Sequence, residues 1–132
     1  MKVKAIKNIL RDEEASDYNR NFCQMPTISI DKDYIVLDID IKMNSKSKAL
    51  SVFFGIFDDT NTYRTYSSKF FEIIDTKISR YWNIDIYEYG IYFAPEEFFK
   101  TTIIDAMDDG VENATERFKQ IYNLLVTEYE ED

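Results

Sequence analysis

Between Tyr34 and Met43 hydrophobic and polar side chains alternate. Ile35, Leu37, Ile39 and Ile41 fall on one side of an extended backbone, with Val36, Asp38, Asp40 and Lys42 on the other. Period-two alternation predicts a strand with one face in a core and the other toward water. After the polar turn Asn44 to Lys48, the run Ala49 to Phe57 is apolar on both sides: Leu50, Val52, Phe54 and Ile56 against Phe53 and Phe57. That pattern predicts a central strand covered on both faces. Asp58 to Asn61 supply turn chemistry, and Thr62 to Tyr66 resumes an extended pattern, so a hairpin is expected there.

The flanking segments are weaker. Met1 to Leu10 alternates imperfectly, with Lys2, Lys4 and Lys7 among apolar residues, as in an edge strand blunted by lysines or a short helix. Arg11 to Asn21 is polar and reads as a loop or a helical turn, and Thr27 to Ile30 after Pro26 as a short strand. Phe70 to Asp75 fits a strand or a helix, with the balance toward strand. Trp82 to Tyr87 and Ile91 to Phe93 read as two strands around a Tyr89–Gly90 turn. Pro95 suits a first helical position, with Glu96 and Glu97 in the favoured first turn of a short helix toward Thr101. The C-terminal helix has the strongest pattern. Ala114, Phe118, Ile121, Tyr122, Leu125 and Tyr129 recur at steps of three and four, and Asp109 with Glu112 has capping-box spacing. Its apolar stripe must pack on a sheet. The expected fold is therefore α+β: a meander-like antiparallel sheet of about five to seven strands with a C-terminal helix on one face, in one domain spanning 1–132.

Composition restricts the function more than the fold. No apolar run reaches the length of a membrane span, which predicts a protein that does not cross a membrane. The single cysteine, Cys23, cannot form an internal disulfide, and no charged-then-apolar leader is evident, so a reducing cytoplasm is the expected setting. The formal net charge is −9 and unevenly spread: Met1 to Asn83 carry 13 basic and 12 acidic residues, Ile84 to Asp132 carry 3 and 13. An excess of this sign repels nucleic-acid phosphate and steers basic partners toward the C-terminal part.

The chain has no histidine. This removes histidine-dependent nucleophilic triads, histidine acid–base chemistry and His-containing zinc sites. No glycine-rich phosphate loop can be assembled from Gly55, Gly90 and Gly110. Asp38, Asp40 and Lys42 on one strand face loosely resemble the strand motif of metal-dependent nucleases, but such a triplet is common on amphipathic strands, where it is simply a solvated face. Asp105, Asp108 and Asp109 before Gly110 lack the alternating spacing of a calcium loop and fit helix ends. Glu96 with Asp105 could be spaced as a glycosidase pair, but nothing in the sequence selects them among 25 acids.

From Ile73-Ile74-Asp75 through Trp82, Gly90, Ala94-Pro95-Glu96-Glu97-Phe98-Phe99 and Asp108-Asp109-Gly110 to Ala114 and Phe118, the layout resembles small bacterial immunity proteins. Such proteins neutralise a cognate toxin of interbacterial competition systems. The resemblance implies a non-catalytic inhibitor, and residue chemistry points the same way, since tyrosines anchor interfaces and acidic surfaces complement basic toxins. The expected partner-binding residues are Glu96, Glu97, Asp105, Asp108, Asp109, Glu112 and Glu116, with Tyr87 and Tyr89. Trp82 is either an anchor or a core residue whose indole N–H bonds to backbone. No catalytic residue, metal or cofactor is expected; the partner is another protein, a basic toxin domain, with neither nucleic acid nor membrane. The competing readings are an inhibitor that mimics nucleic acid, a metal-dependent enzyme on Asp38, Asp40 and Lys42, and a self-associating subunit whose strand edges pair in a homodimer.

Overall fold

The computed structural model describes residues 1–9, 26–100, 103–111 and 113–131, excluding the side chains of Lys100, Asp105 and Asp108. The fold is α+β, with the strands divided between two antiparallel sheets, neither closed into a barrel. The smaller sheet holds β1 (Lys2–Ala5), β2 (Asp33–Ile35) and β6 (Phe71–Asp75) in the order β2-β1-β6. The larger holds β3 (Asp38–Met43), β4 (Leu50–Phe57), β5 (Tyr63–Ser67), β7 (Trp82–Tyr87) and β8 (Gly90–Pro95) in the order β5-β4-β3-β8-β7. Among the described residues three helices follow: α1 (Glu96–Lys100), α2 (Ile103–Asp108) and α3 (Ala114–Glu130). Among the described residues no helix is long and apolar enough to cross a membrane.

The single strand expected over Tyr34 to Met43 is two strands in different sheets. The alternation changes phase between them. Tyr34 and Val36 point into a core between the sheets, and so do Ile39 and Ile41, whereas Ile35 and Leu37 join a second core beneath the helices. An irregular step at Val36–Leu37 lets the chain pass from one sheet to the next with both residues buried. The indole N–H of Trp82 donates to the Leu37 carbonyl at 2.8 Å, so Trp82 is a core residue that satisfies backbone at this step.

The first core joins Val3, Ala5, Phe70 and Phe71 to Phe54, Ile56 and Tyr66 across the gap between the sheets. β1 is thus the middle strand of its sheet, not a blunted edge: its lysines are only half-buried while Val3 and Ala5 are fully covered. Thr27 to Ile30 is not a strand. Its backbone is bonded instead by side chains and a turn: the Thr27 N–H donates to the Tyr66 hydroxyl at 3.1 Å and the Ser29 N–H to the Tyr34 hydroxyl at 2.8 Å. The hairpins β4–β5 and β7–β8 form as expected, and Phe71–Asp75 is a strand, entered through a 3₁₀ turn at Ser68–Phe70.

In the second core α3 presents Phe118, Ile121 and Leu125 to Leu37, Phe57 and Tyr63. Phe57 meets Phe118 edge-on at 5.3 Å and Tyr122 at 4.6 Å between ring centroids. Glu128 clips the helix to the loop before β7, accepting from Ser79 Oγ at 2.6 Å and the Arg80 N–H at 2.7 Å.

Two helix boundaries differ from the sequence reading. Pro95 ends β8 opposite Trp82, and α1 starts at Glu96; proline, lacking an N–H, suits the last rung of a strand as well as a first helical turn. The helix start expected at Asp109 is instead the end of α2, a helix too short to give a clear period. Gly110, at φ +72°, donates to the Met107 carbonyl and Val111 to that of Ala106, which is a Schellman closure. Helix α3 begins later, after Asn113 in a left-handed conformation with no side-chain cap, and Glu112 lies outside the described residues. Substituting Gly110→Ala is expected to cost about 1–2 kcal/mol, the penalty of a Cβ at positive φ, read as a lowered urea midpoint with unchanged slope.

Candidate functional site

The face of the larger sheet that carries α1 to α3 is not fully covered by them. Beyond Phe98 and Phe118 it opens into a cavity of about 220 Å³ lined by Asp38, Asp40, Tyr63, Thr65, Asp85, Tyr87 and Tyr92. The register explains the grouping. Asp38 lies opposite Gly55, Asp40 opposite Tyr92, and Tyr92 opposite Asp85, so these side chains project from one face of neighbouring strands. Three carboxylates and three phenols thereby share one cavity.

Asp38 is the floor of the site and is almost fully buried. Its Oδ2 accepts from the Tyr63 hydroxyl at 2.6 Å and the Tyr92 hydroxyl at 2.7 Å. Gly55 makes room for it, since a Cβ there would collide with the Asp38 carboxylate and the Tyr63 ring. Burial raises the Asp38 pKa to about 6; the phenol hydrogen bonds oppose the shift and the charge of Asp40 adds to it. Burial, reinforced by the Asp38 charge, also raises the Tyr63 and Tyr92 phenols, so both remain donors at neutral pH. Nearer the mouth, Asp40 accepts from the Tyr87 hydroxyl at 2.8 Å and lies 3.4 Å from Lys42 Nζ.

A raised carboxyl pKa has a definite sign in stability. Between about 3.8 and 6 the folded protein holds a proton that the unfolded chain has released, so the fold loses stability as pH rises through that window. Roughly two units amount to about 3 kcal/mol. Asp38→Asn is expected to abolish this pH dependence, so the difference in unfolding free energy between the two proteins should change by about that amount from pH 4 to pH 7. A stability difference constant across that range would contradict the assignment.

The expected site residues scatter. Tyr87 enters the cavity, and Tyr89 is exposed on the β7–β8 turn beside it. Glu97 is held by a bidentate ion pair with Arg117, while Glu96 and Glu116 are exposed elsewhere on the helices and Asp109 is exposed in the turn after α2. Asp105, Asp108 and Glu112 have no described side chains. Asp38 and Asp40 stand out in the sequence as a same-face pair, but as metal ligands; among the described residues no group of three or more Cys, Asp or Glu is arranged to hold a metal ion. Asp85, Tyr63 and Tyr92 reach the site through strand pairing, which no local pattern announces.

No protein-family model matches the chain, and no curated protein or solved structure matches it either.

Proposed function

We propose that this protein is a non-catalytic inhibitor of the immunity type, which neutralises a basic toxin by binding it and takes one of its cationic side chains into the acidic, tyrosine-walled cavity. The observation that carries the reading is the cavity itself. Aromatic walls with carboxylates at the floor and mouth suit an ammonium or guanidinium group, which gains charge-assisted hydrogen bonds and contact with ring faces together. The excess of 13 acidic over 3 basic residues beyond Asn83 supplies the long-range field that speeds encounter with a basic partner.

The test is capture of the partner with tagged protein, followed by titration of the recovered partner against variants. Asp38→Asn and Asp40→Asn are each expected to weaken binding at least about tenfold, because each leaves a desolvated cation short of its counter-charge. Reversal of Glu96 or Asp109 should act mainly on the association rate and its salt dependence. Affinity should rise with pH through about 6, as Asp38 gives up its proton to meet the incoming cation. Binding indifferent to salt, to pH and to both aspartate substitutions would refute the reading, as would a partner that is not basic.

A further inference from the structure

Strand β7 closes one end of the larger sheet, and among the described residues β8 is its only strand neighbour. Exposed strand edges in natural proteins are shortened, bulged, or guarded by charged side chains, lysine above all, or by proline. The other ends follow this rule. β2 has three residues, β5 carries Arg64, and β6 meets β1 through a register shift and carries Glu72 and Asp75. β7 is the least guarded: it has no lysine, arginine, proline, bulge or register shift, and its one charged side chain is Asp85. Its sequence is Trp-Asn-Ile-Asp-Ile-Tyr, its six pairs with β8 are regular, and Ile84 and Ile86 are 62% and 76% exposed.

Ile84 and Ile86 also end two apolar rows across the sheet. One runs Phe54, Ile39, Phe93, Ile84 and the other Val52, Ile41, Ile91, Ile86. The first core covers the inner parts of both rows and leaves their β7 ends bare.

We infer that β7 is a self-association edge, pairing antiparallel with β7 of a second copy to join two five-stranded sheets into one. The two-fold axis of such a pair is perpendicular to the sheet, so residues facing each other across it have the same parity and only a few registers exist. The register centred on Asp85 sets two carboxylates directly opposite one another and is disfavoured. The register centred on Ile86 runs off the strand at Glu88. The register centred on Ile84 pairs Trp82 with Ile86 of the second copy and Asn83 with Asp85, an amide facing a carboxylate, and it lies wholly within β7. A second copy therefore complements this edge in hydrogen bonding, amide to carboxylate, and in apolar face. Both acidic cavities would open on the same side of the joined sheet. The inference is tested apart from the inhibitor reading: it shares Asp85 with the cavity wall, but its readout is self-association at Ile84.

The test is sedimentation equilibrium of the full chain over a wide concentration range at physiological salt, where the net charge of −9 is screened. The wild-type protein should show a concentration-dependent shift toward twice its monomer mass. Ile84→Lys, an exposed change that leaves the fold intact by circular dichroism, should weaken the association at least about tenfold by placing like charges on the axis. Leu124→Lys, also an exposed change but on α3, should not. In a Cys23→Ser background, Ile84→Cys should form an intermolecular disulfide, because residues facing across a strand pair lie within disulfide reach. A monomer at every concentration, or a dimer untouched by Ile84→Lys, would overturn the inference; so would failure of Ile84→Cys to cross-link.

Discussion

Substituting Gly55→Ala is expected to cost about 3–5 kcal/mol, the sum of overpacking a filled interior and leaving a buried carboxyl without its bonds. The added methyl would occupy the space of the Asp38 carboxylate and press on the Tyr63 ring. Neither neighbour can yield cheaply. Asp38 is a short side chain tied to two buried phenols, and Tyr63 is wedged against Phe118 at 5.1 Å and Phe98 at 6.2 Å. In thermal unfolding the expected shift is roughly 10–20 °C downward for a chain of this size. Nuclear magnetic resonance should also show Asp38 titrating away from its value near 6. A loss under about 1 kcal/mol with an unchanged Asp38 titration would mean that the tight approach of β4 to β3 is not what holds the carboxylate.

Asp58→Ala should be nearly as severe, at about 3–4 kcal/mol, because it strips a buried acceptor from several donors at once. Asp58 closes the β4–β5 turn: its Oδ1 accepts from the Thr60 N–H at 2.9 Å, the Thr60 hydroxyl at 2.6 Å and the Thr62 N–H at 3.3 Å. Its Oδ2 accepts from the Thr27 hydroxyl and from the buried Tyr66 hydroxyl at 3.2 Å, tying the segment before β2 to this hairpin. Burial alone would raise its pKa, but the Thr27, Thr60 and Thr62 bonds outweigh that and hold it below the usual range. Its contribution is therefore complete above the unfolded value and is lost as pH falls through the folded one. Asp58→Asn should retain part of the turn while flattening the acid limb of the stability profile. If Asp58→Ala unfolds at the wild-type urea concentration, the turn owes its geometry to something else.

Both residues show how far the sequence could be read. Asp58 was legible as a turn residue, because Asp-Asp-Thr-Asn between two apolar runs is local turn chemistry. Its role in anchoring Thr27 and Tyr66 was not, since those bonds cross 31 and 8 positions of chain. Asp38 and Asp40 were legible as a pair sharing a face of one strand. That they sit in a cavity walled by Tyr63, Tyr92 and Tyr87 follows from strands 25 to 54 positions away, brought alongside by pairing. The acidic residues of the C-terminal part are conspicuous by number, 13 against 3 basic beyond Asn83. The cavity instead draws two of its three carboxylates from β3, in the half of the chain with balanced charge.

Composition and periods of a few residues suffice for the α+β class, the two hairpins, the long amphipathic C-terminal helix with its buried stripe, and the absence of histidine chemistry. Long-range packing sets the rest: the division into two sheets at Val36–Leu37, the end of α2 where a helix start was expected, and the central place of β1. It also creates the acidic cavity and the lightly guarded edge of β7. The physical reason is that a strand pairs through backbone groups common to every residue, so its partner is chosen by the burial of the whole chain rather than by a signal in its own sequence.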